Sequence, residues 1–286
     1  MANKVRHAPA DGASQTRVRP PAARAFQSSR LLVRHRRLLW QVARNELRAR
    51  YAGSVFGLGW AFLAPLVLLV IYAAVYLFVF RVRAPGLSAF QYVLLIFSGL
   101  VPFLMTSEAV VTGVAAVVAN KAVLSNTVFP IELAPAKAVL LSQVPMATGF
   151  AVIVLALTVT GGLSWTLTLL PLIWGLHVLA LVGLTWILSL VNLVFRDIQN
   201  LVGLAMMVVM IASPIAYTPD MVPQGLRLLL LANPFAHVVV MYQQVVVLGQ
   251  LPSVGSWLLL VAMCGGTFVL GSYFFDRAHR VLIDYV

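Results

Sequence analysis

Five long apolar segments constrain this chain more than any other feature of its sequence. They occupy residues 55–80, 92–118, 139–160, 165–195 and 255–275. A bilayer core about 30 Å thick needs roughly 20 apolar residues in a helix, because every backbone polar group has to be bonded within the segment. Each segment is long enough to cross a membrane, so we expect a polytopic membrane protein built mainly of helices.

A sixth apolar segment, at residues 201–217, is a little short for a span and ends at Ser213 and Pro214. Of the 286 residues, 61% are hydrophobic and only 10% are charged, which lies outside the usual composition of soluble domains. A soluble protein of this size needs surface helices with a polar face, and the long apolar segments have none. We therefore predict an all-α membrane protein with six transmembrane helices.

Basic residues are concentrated before the first apolar segment. The net charge is +12, and 12 of the 20 Lys and Arg precede residue 51. Residues 1–29 contain no apolar core of signal-peptide length, so we expect a disordered, basic, cytoplasmic tail. This placement of the charge favours membrane lipids as the partner and gives no support to nucleic acid.

Residues 30–54 interleave apolar and basic side chains, among them Trp40, Arg44, Arg50 and Tyr51. This pattern predicts an amphipathic interface helix that lies on the membrane face. Its basic side would contact anionic head groups at roughly 1 kcal/mol per charge.

Two shorter apolar pieces precede the last span, at residues 226–231 and 235–248. Asn233 and Pro234 separate them, and Gly249 follows the second. Each is too short to cross a membrane comfortably, so we predict a re-entrant helical hairpin over about residues 222–250. Two short helices lying flat at the interface are the alternative.

The distribution of basic residues predicts the orientation. Six crossings place both termini on one side, and with the termini inside only Arg81, Arg83 and Arg227 of the 20 Lys and Arg lie outside. We therefore expect a multi-pass protein of the inner (cytoplasmic) membrane with both termini in the cytoplasm.

Motifs for catalysis are absent from the sequence. It contains no GxxxxGK[ST], HExxH, GxSxG or paired Cys, and Cys264 is its only cysteine. We expect no catalytic residue, no metal site and no cofactor in this chain.

Two ionisable residues fall inside apolar segments. Glu108 lies either on a substrate path or in an interhelical lock, or else near the outer boundary, bonded to Ser107, Thr106 or the backbone. For His177 we favour a satisfied interhelical contact.

A series of short motifs follows in order along the chain. R-Y-A-G-S-V-F-G-L-G-W at residues 50–60 is similar to an RYxxSxLGxxW signature, with Phe56 in place of Leu. The others are S-G-L-V-P-F at 98–103, T-V-F-P-I-E-L-A-P at 127–135, F-R-D-I at 195–198, S-P-I at 213–215 and N-P-F at 233–235. In this ordered set, over roughly residues 40–276, the chain resembles the membrane subunits of ABC-2 type exporters for polysaccharides such as O-antigen, capsule and teichoic acid precursors.

The resemblance implies a type V exporter-like fold, with an ABC-2 transmembrane domain over residues 55–286. It also implies a homodimer with a channel between the two copies, a separate ATPase subunit that binds ATP and Mg²⁺, and a lipid-linked glycan as substrate. Coupling to the ATPase is expected at Asn120, Phe129, Pro130, Glu132, Arg196 and Asp197. Glu132 could pair with a basic residue of the ATPase, whereas Arg196 and Asp197 could contact it, contact each other, or form an intrachain helix cap.

Aromatic rings are suited to a sliding glycan because they stack on sugar faces without fixed hydrogen-bond partners. The translocation path is therefore expected at Tyr72, Tyr76, Phe80, Phe97, Phe103 and Glu108, although such stripes also serve as packing or interfacial belts. The sequence predicts the permease subunit of an ATP-driven exporter of a lipid-linked polysaccharide such as O-antigen. An ABC-2 exporter of a small molecule, a proton-driven transporter and a membrane enzyme acting on lipid-linked sugars are the alternatives.

Overall fold

The computed structural model describes residues 27–80, 86–120, 129–217, 222–223, 225 and 227–282. Within these ranges the chain is helical and has no strand, which confirms the all-α class. The described helices are α1 (Gln27–Arg34), α2 (Arg36–Arg50), α3 (Trp60–Ala74), α4 (Ala89–Ala119), α5 (Leu133–Leu141), α6 (Gln143–Thr160), α7 (Leu170–Val194), α8 (Ile198–Ala212), α9 (Arg227–Ala232), α10 (Pro234–Gln243) and α11 (Val254–Leu282).

Five helical stretches are long and apolar enough to cross a membrane: Gly57–Ala74, Ala89–Ala119, Leu133–Thr160, Trp165–Val194 and Val254–Ala278. They overlap the five predicted segments. The third begins six residues earlier than expected, because α5 and α6 follow each other with only Ser142 between them, and the first ends at Ala74, after which a π-helical turn (Val75–Phe80) follows. The chain is therefore a multi-pass membrane protein.

The sixth predicted span corresponds to α8, which has 15 residues. At 1.5 Å per residue it is about 22 Å long, which is less than the thickness of a bilayer core. It ends at Ala212; the backbone of Ser213 is extended, and an irregular segment continues to Tyr217. The sixth crossing therefore stays a prediction.

Helix α4 is the centre of the bundle, and α5, α6, α7, α8 and α10 pack around it. Of its most apolar window 83% is buried, whereas only 11% is buried for the first span, which contains α3. Because an apolar helix surface has to face lipid or protein, most of the surface of α3 needs a neighbour outside this chain.

Helices α7 and α11 approach each other closely at two glycines. A Cβ built on Gly271 would lie 2.5 Å from the Cα of Gly183, and one built on Gly183 would lie 2.6 Å from the Cα of Phe268. Small residues at such crossings let two backbones pack together, which is a common way for helices to associate in membranes.

Helices α9 and α10 occupy the region of the predicted hairpin. In the turn between them Asn233 is buried, and its side chain accepts a hydrogen bond from the backbone N–H of Phe235 at 3.0 Å. The neighbouring irregular segment is also satisfied, since Gln243 Nε2 donates to the backbone oxygen of Pro214 at 2.9 Å. Burial of α10 against α4 and α7 favours a hairpin over helices lying flat at the interface, and the hairpin itself stays a prediction.

The N-terminal region differs from the prediction in its boundaries. Helix α1 begins at Gln27, so residues 27–29 are helical although they were expected in the disordered tail; residues 1–26 lie outside the described residues. The carboxylate of Asp276 in α11 accepts hydrogen bonds at 2.8 Å from the backbone N–H groups of Gln27 and Ser28, and it thereby caps α1. The predicted helix over residues 30–54 is interrupted at His35 and ends at Arg50.

Candidate functional site

Three elements meet around Lys137 at the end of the bundle that carries α1 and α2. Its Nζ lies 2.5 Å from Glu46 Oε2 of α2 and donates to Oδ1 of Asn120, at the end of α4, over 3.2 Å. The side chain of Lys137 is only 9% exposed, and a buried ammonium needs such partners. Lys137 therefore ties α2, α4 and α5 together. We call Glu46, Asn120 and Lys137 the lysine junction.

The lysine junction lies beside a small apolar cluster that joins α2 to α5. Leu39 of α2 is buried against Leu133 and Ala136 of α5, and Phe129 packs on the edge of the cluster. The opposite face of α2 exposes Trp40 and Arg44, together with the other basic side chains. The helix is thus amphipathic in the folded chain, and its contact with lipid stays a prediction.

The predicted coupling segment begins with Phe129 and Pro130, which are half-buried. Glu132 is only 6% exposed, and its backbone oxygen accepts a hydrogen bond from Trp186 Nε1 of α7 at 3.0 Å. A carboxylate buried to this extent does not offer a surface for an ion pair with another subunit, which argues against that role for Glu132. Residues 121–128, with the Thr127-Val128 part of the motif, lie outside the described residues.

The corner between α7 and α8 presents Phe195, Arg196 and Asp197, and all three side chains are exposed. Asp197 is at the N-cap position of α8 but its side chain makes no capping hydrogen bond, which argues against the helix-cap alternative. Within the described residues, Arg196 and Asp197 form no ion pair with each other. We call residues 195–197 the exposed corner.

The exposed corner and the lysine junction lie at the same end of the bundle. Trp186, two turns before the end of α7, donates a hydrogen bond to the backbone oxygen of Glu132, so the end of α7 and the start of α5 lie on the same side of the bundle. Folding therefore brings four of the predicted coupling residues, Asn120, Phe129, Arg196 and Asp197, to one end of the molecule. Sequence reasoning missed Glu46 and Lys137, although a single cation in the apolar sequence of α5 was a usable signal.

Comparison with known proteins identifies the family. A family model described as ABC-2 type transporter matches residues 37–247, which is more than half of the chain. The chain belongs to the ABC-2 type transporter family.

Curated relatives of this ABC-2 type transporter align over most of their length. An O-antigen export system permease protein RfbA of Klebsiella pneumoniae is 29% identical over 223 residues, which cover 75% of this chain and 82% of the relative. RfbA of Myxococcus xanthus is 27% identical over 237 residues, covering 82% and 89%. The polysialic acid transport protein KpsM of Escherichia coli is 26% identical over 210 residues, covering 72% and 80%.

In this ABC-2 type transporter the R-Y motif is joined to the second span. Arg50 Nη1 lies 2.9 Å from Oε1 of Glu108, with the two side chains 39% and 29% exposed. The hydrogen bond and the negative charge of Glu108 raise the pKa of Arg50, so the guanidinium stays charged. Glu108 therefore forms an interhelical ion pair with α2 and does not lie at the outer boundary of the span; a place on the substrate path stays a prediction.

The interhelical contact predicted for His177 is confirmed. The Thr106 hydroxyl donates to the backbone oxygen of Pro102 at 2.8 Å, so it accepts from Nε2 of His177, 2.9 Å away. Nδ1 of His177 is then the acceptor for the hydroxyl of Tyr242 at 3.4 Å. The imidazole links α4, α7 and α10 within the buried core.

The six predicted translocation residues do not share one surface of this ABC-2 type transporter. Tyr72 and Tyr76 stack along α3 and the π-helical turn after it, with ring centroids 6.4 Å apart, and both are half-buried. Phe97 and Phe103 are buried in the main core, so they are packing residues and the burial argues against channel lining. The side chain of Phe80 lies outside the described part of the chain.

Proposed function

We propose that this chain is the permease subunit of an ATP-driven exporter that moves a lipid-linked polysaccharide, such as an O-antigen, across the inner membrane. The class of cargo is inferred from how much of the chain aligns with its relatives. Relatives named for O-antigen export and for polysialic acid transport match 72% to 82% of this chain. Both names describe the export or transport of a polysaccharide.

A separate ATPase subunit supplies the energy in this proposal. The sequence has no phosphate-binding GxxxxGK[ST] loop, so ATP hydrolysis has to come from another chain that carries ATP and Mg²⁺. The exposed corner supports docking of such a subunit, because Phe195 offers an apolar anchor beside the opposite charges of Arg196 and Asp197. The lysine junction would carry motion from this surface into α2 and α4.

A second copy of the chain is the proposed partner of the first span. Only 11% of that span is buried, and Phe62, Val67, Val70 and Ile71 are exposed along α3. A homodimer would place a channel between the copies, with both termini in the cytoplasm. Tyr72 lies on α3 and Tyr76 on the π-helical turn after it, and they are the aromatic residues best placed to line the channel.

Co-purification tests the docking surface. The chain is co-expressed with the ATPase encoded beside it and purified through a tag on the permease alone. We expect stoichiometric ATPase with ATP hydrolysis, and at least a tenfold lower recovery for Arg196→Glu. The control is Leu251→Ala, an exposed apolar residue at the opposite end of the bundle, which should recover the ATPase like the unaltered chain. Equal recovery for the two variants would refute the proposed docking surface.

Loss of the gene tests the cargo. Deletion should leave the polysaccharide inside the cell and remove it from the surface, and expression of the intact chain should restore it. A cell that keeps its surface polysaccharide but becomes sensitive to a drug or antibiotic would indicate a small-molecule exporter instead.

A further inference from the structure

A cavity of about 590 Å³ lies between the end of α2, the start of α3, the middle of α4 and the α5–α6 junction. This volume is within the range of about 300–1,000 Å³ that is usual for ligand pockets. Its walls are mostly apolar, and they include Leu47, Ala61, Ala64, Pro65, Leu68 and Val144.

Small side chains and loose packing create this cavity. Ala61 and Ala64 face the space where larger residues would fill it, and the first span has little of its surface buried in this chain. On the neighbouring side, α5 and α6 are interrupted at Ser142, and Pro145 follows closely. The space results from the sequence of these helices and would be filled by an apolar molecule in a membrane.

The cavity lies in the leaflet on the side of α2. Its α3 residues fall within the first nine positions of that helix, which is about 13 Å of rise from Trp60. Glu108 is 12 residues before Asn120, or about 18 Å from the end of α4. Lipid from this leaflet can therefore reach the cavity with its head group towards α2.

Opposite charges stand together at the polar wall of the cavity. Arg50 and Glu108 both line it, and both remain partly exposed while paired with each other. A guanidinium has five N–H donors and a carboxylate has several acceptor positions, so each group can bind a further partner. At this wall Arg50 can therefore donate hydrogen bonds to an anion, and Glu108 beside it can accept hydrogen bonds from a cation.

We propose that this cavity binds one phospholipid whose head group carries both a phosphate and a primary ammonium, as in phosphatidylethanolamine. The acyl chain fills the apolar space, the phosphate accepts hydrogen bonds from Arg50, and the ammonium donates to Glu108. An anionic head group would meet the repulsion of Glu108, and a quaternary ammonium cannot donate a hydrogen bond to it. The proposed ligand is a phospholipid of the membrane and differs from the exported cargo.

Lipid retention tests the proposal. The full-length chain is purified in mild detergent from vesicles of equal parts phosphatidylethanolamine, phosphatidylcholine and phosphatidylglycerol, and the bound lipid is measured by native mass spectrometry. We expect about one phosphatidylethanolamine per chain, and at least a tenfold lower retention for Ala64→Phe, which fills the cavity. The matched control is Ala205→Phe on the exposed face of α8, which should retain lipid like the unaltered chain.

Two further variants separate the head-group contacts from occlusion. Glu108→Gln should reduce the preference for phosphatidylethanolamine over phosphatidylcholine by about tenfold while an acyl chain is still bound. If Ala64→Phe is not monodisperse, Leu68→Trp fills the same space. Equal retention by the cavity-filling variant and Ala205→Phe would overturn the proposal, as would a preference for phosphatidylglycerol. So would a disulfide between two copies of an Ala64→Cys chain, because a second copy would then occupy the cavity.

Discussion

The crossing of α7 and α11 leads to the sharpest prediction about stability, for which the perturbation is Gly183→Ala. The new Cβ would lie 2.6 Å from the Cα of Phe268 and 2.7 Å from the carbonyl carbon of Thr267, and it would also meet the carbonyl oxygen of Thr267. These atoms belong to the backbone of a long helix, so no side chain can rotate away to make room. The helices have to separate along the crossing, and the contacts around it are lost.

A glycine on the same helix provides the matched control. A Cβ on Gly175 would have no atom within 4 Å, so Gly175→Ala should cause no clash. It should change the free energy of unfolding only through the higher helix propensity of Ala, which stabilises by about 1 kcal/mol. Gly183→Ala has the same gain but adds overpacking, which typically costs about 1–3 kcal/mol. Because the obstruction is backbone, we expect the two variants to differ by about 2–3 kcal/mol in the free energy of unfolding.

The assay is thermal unfolding of both variants in one detergent, followed by size-exclusion chromatography. At roughly 2–4 °C per kcal/mol, the midpoint of Gly183→Ala should lie about 4–12 °C below that of Gly175→Ala. Gly271→Ala should behave like Gly183→Ala, because its Cβ would meet Gly183 itself. The double variant should lose less than the sum of the two, because one separation relieves both clashes.

A midpoint for Gly183→Ala at or above that of Gly175→Ala would refute this reasoning. The crossing of α7 and α11 would then have room for a methyl group at Gly183, and the close approach of the two helices would not contribute to stability. Strict additivity in the double variant would also contradict it, since the two glycines would then act as separate sites.

Three further predictions follow from polar contacts between helices. Lys137→Glu should lower the midpoint of thermal unfolding, because it places the new carboxylate beside that of Glu46. The double variant with Glu46→Lys and Lys137→Glu should restore part of the loss, with a coupling energy of about 1 kcal/mol in a double-mutant cycle. If the double variant recovers nothing, the pairing is contradicted. His177→Phe should lower the free energy of unfolding by about 1 kcal/mol, because it leaves the buried hydroxyl of Tyr242 without its partner. Adding Tyr242→Phe should recover most of this loss in the same assay. If the second substitution adds a further loss, the hydrogen bond between Tyr242 and His177 is contradicted. Asp276→Ala should remove the cap of α1, which is too short to be a stable helix alone. The rate of tryptic cleavage within α1 should therefore rise several-fold. Unchanged cleavage would show that the cap is dispensable.

The positions of the spans could be predicted because membrane insertion depends on a local property. A segment of about 20 apolar residues is recognisable without knowing what it packs against. All five long segments were located in this way, and the ordered motifs from R-Y at residues 50–51 to N-P-F at 233–235 led to the correct family. The sixth span stays a prediction, because α8 has 15 residues and is shorter than a bilayer-spanning helix.

The side-chain roles required the tertiary structure, because in a membrane the surface facing lipid and the surface facing the core are both apolar. Hydropathy could not distinguish the buried Phe97 and Phe103 from the exposed ring faces of a channel, and it did not indicate that Glu132 is buried. It also could not pair Arg50 with Glu108, which is 58 residues away. Segment length and composition thus determined which parts of the chain cross the membrane. Packing alone decided which polar residues meet, because the partners come from helices that are distant in sequence.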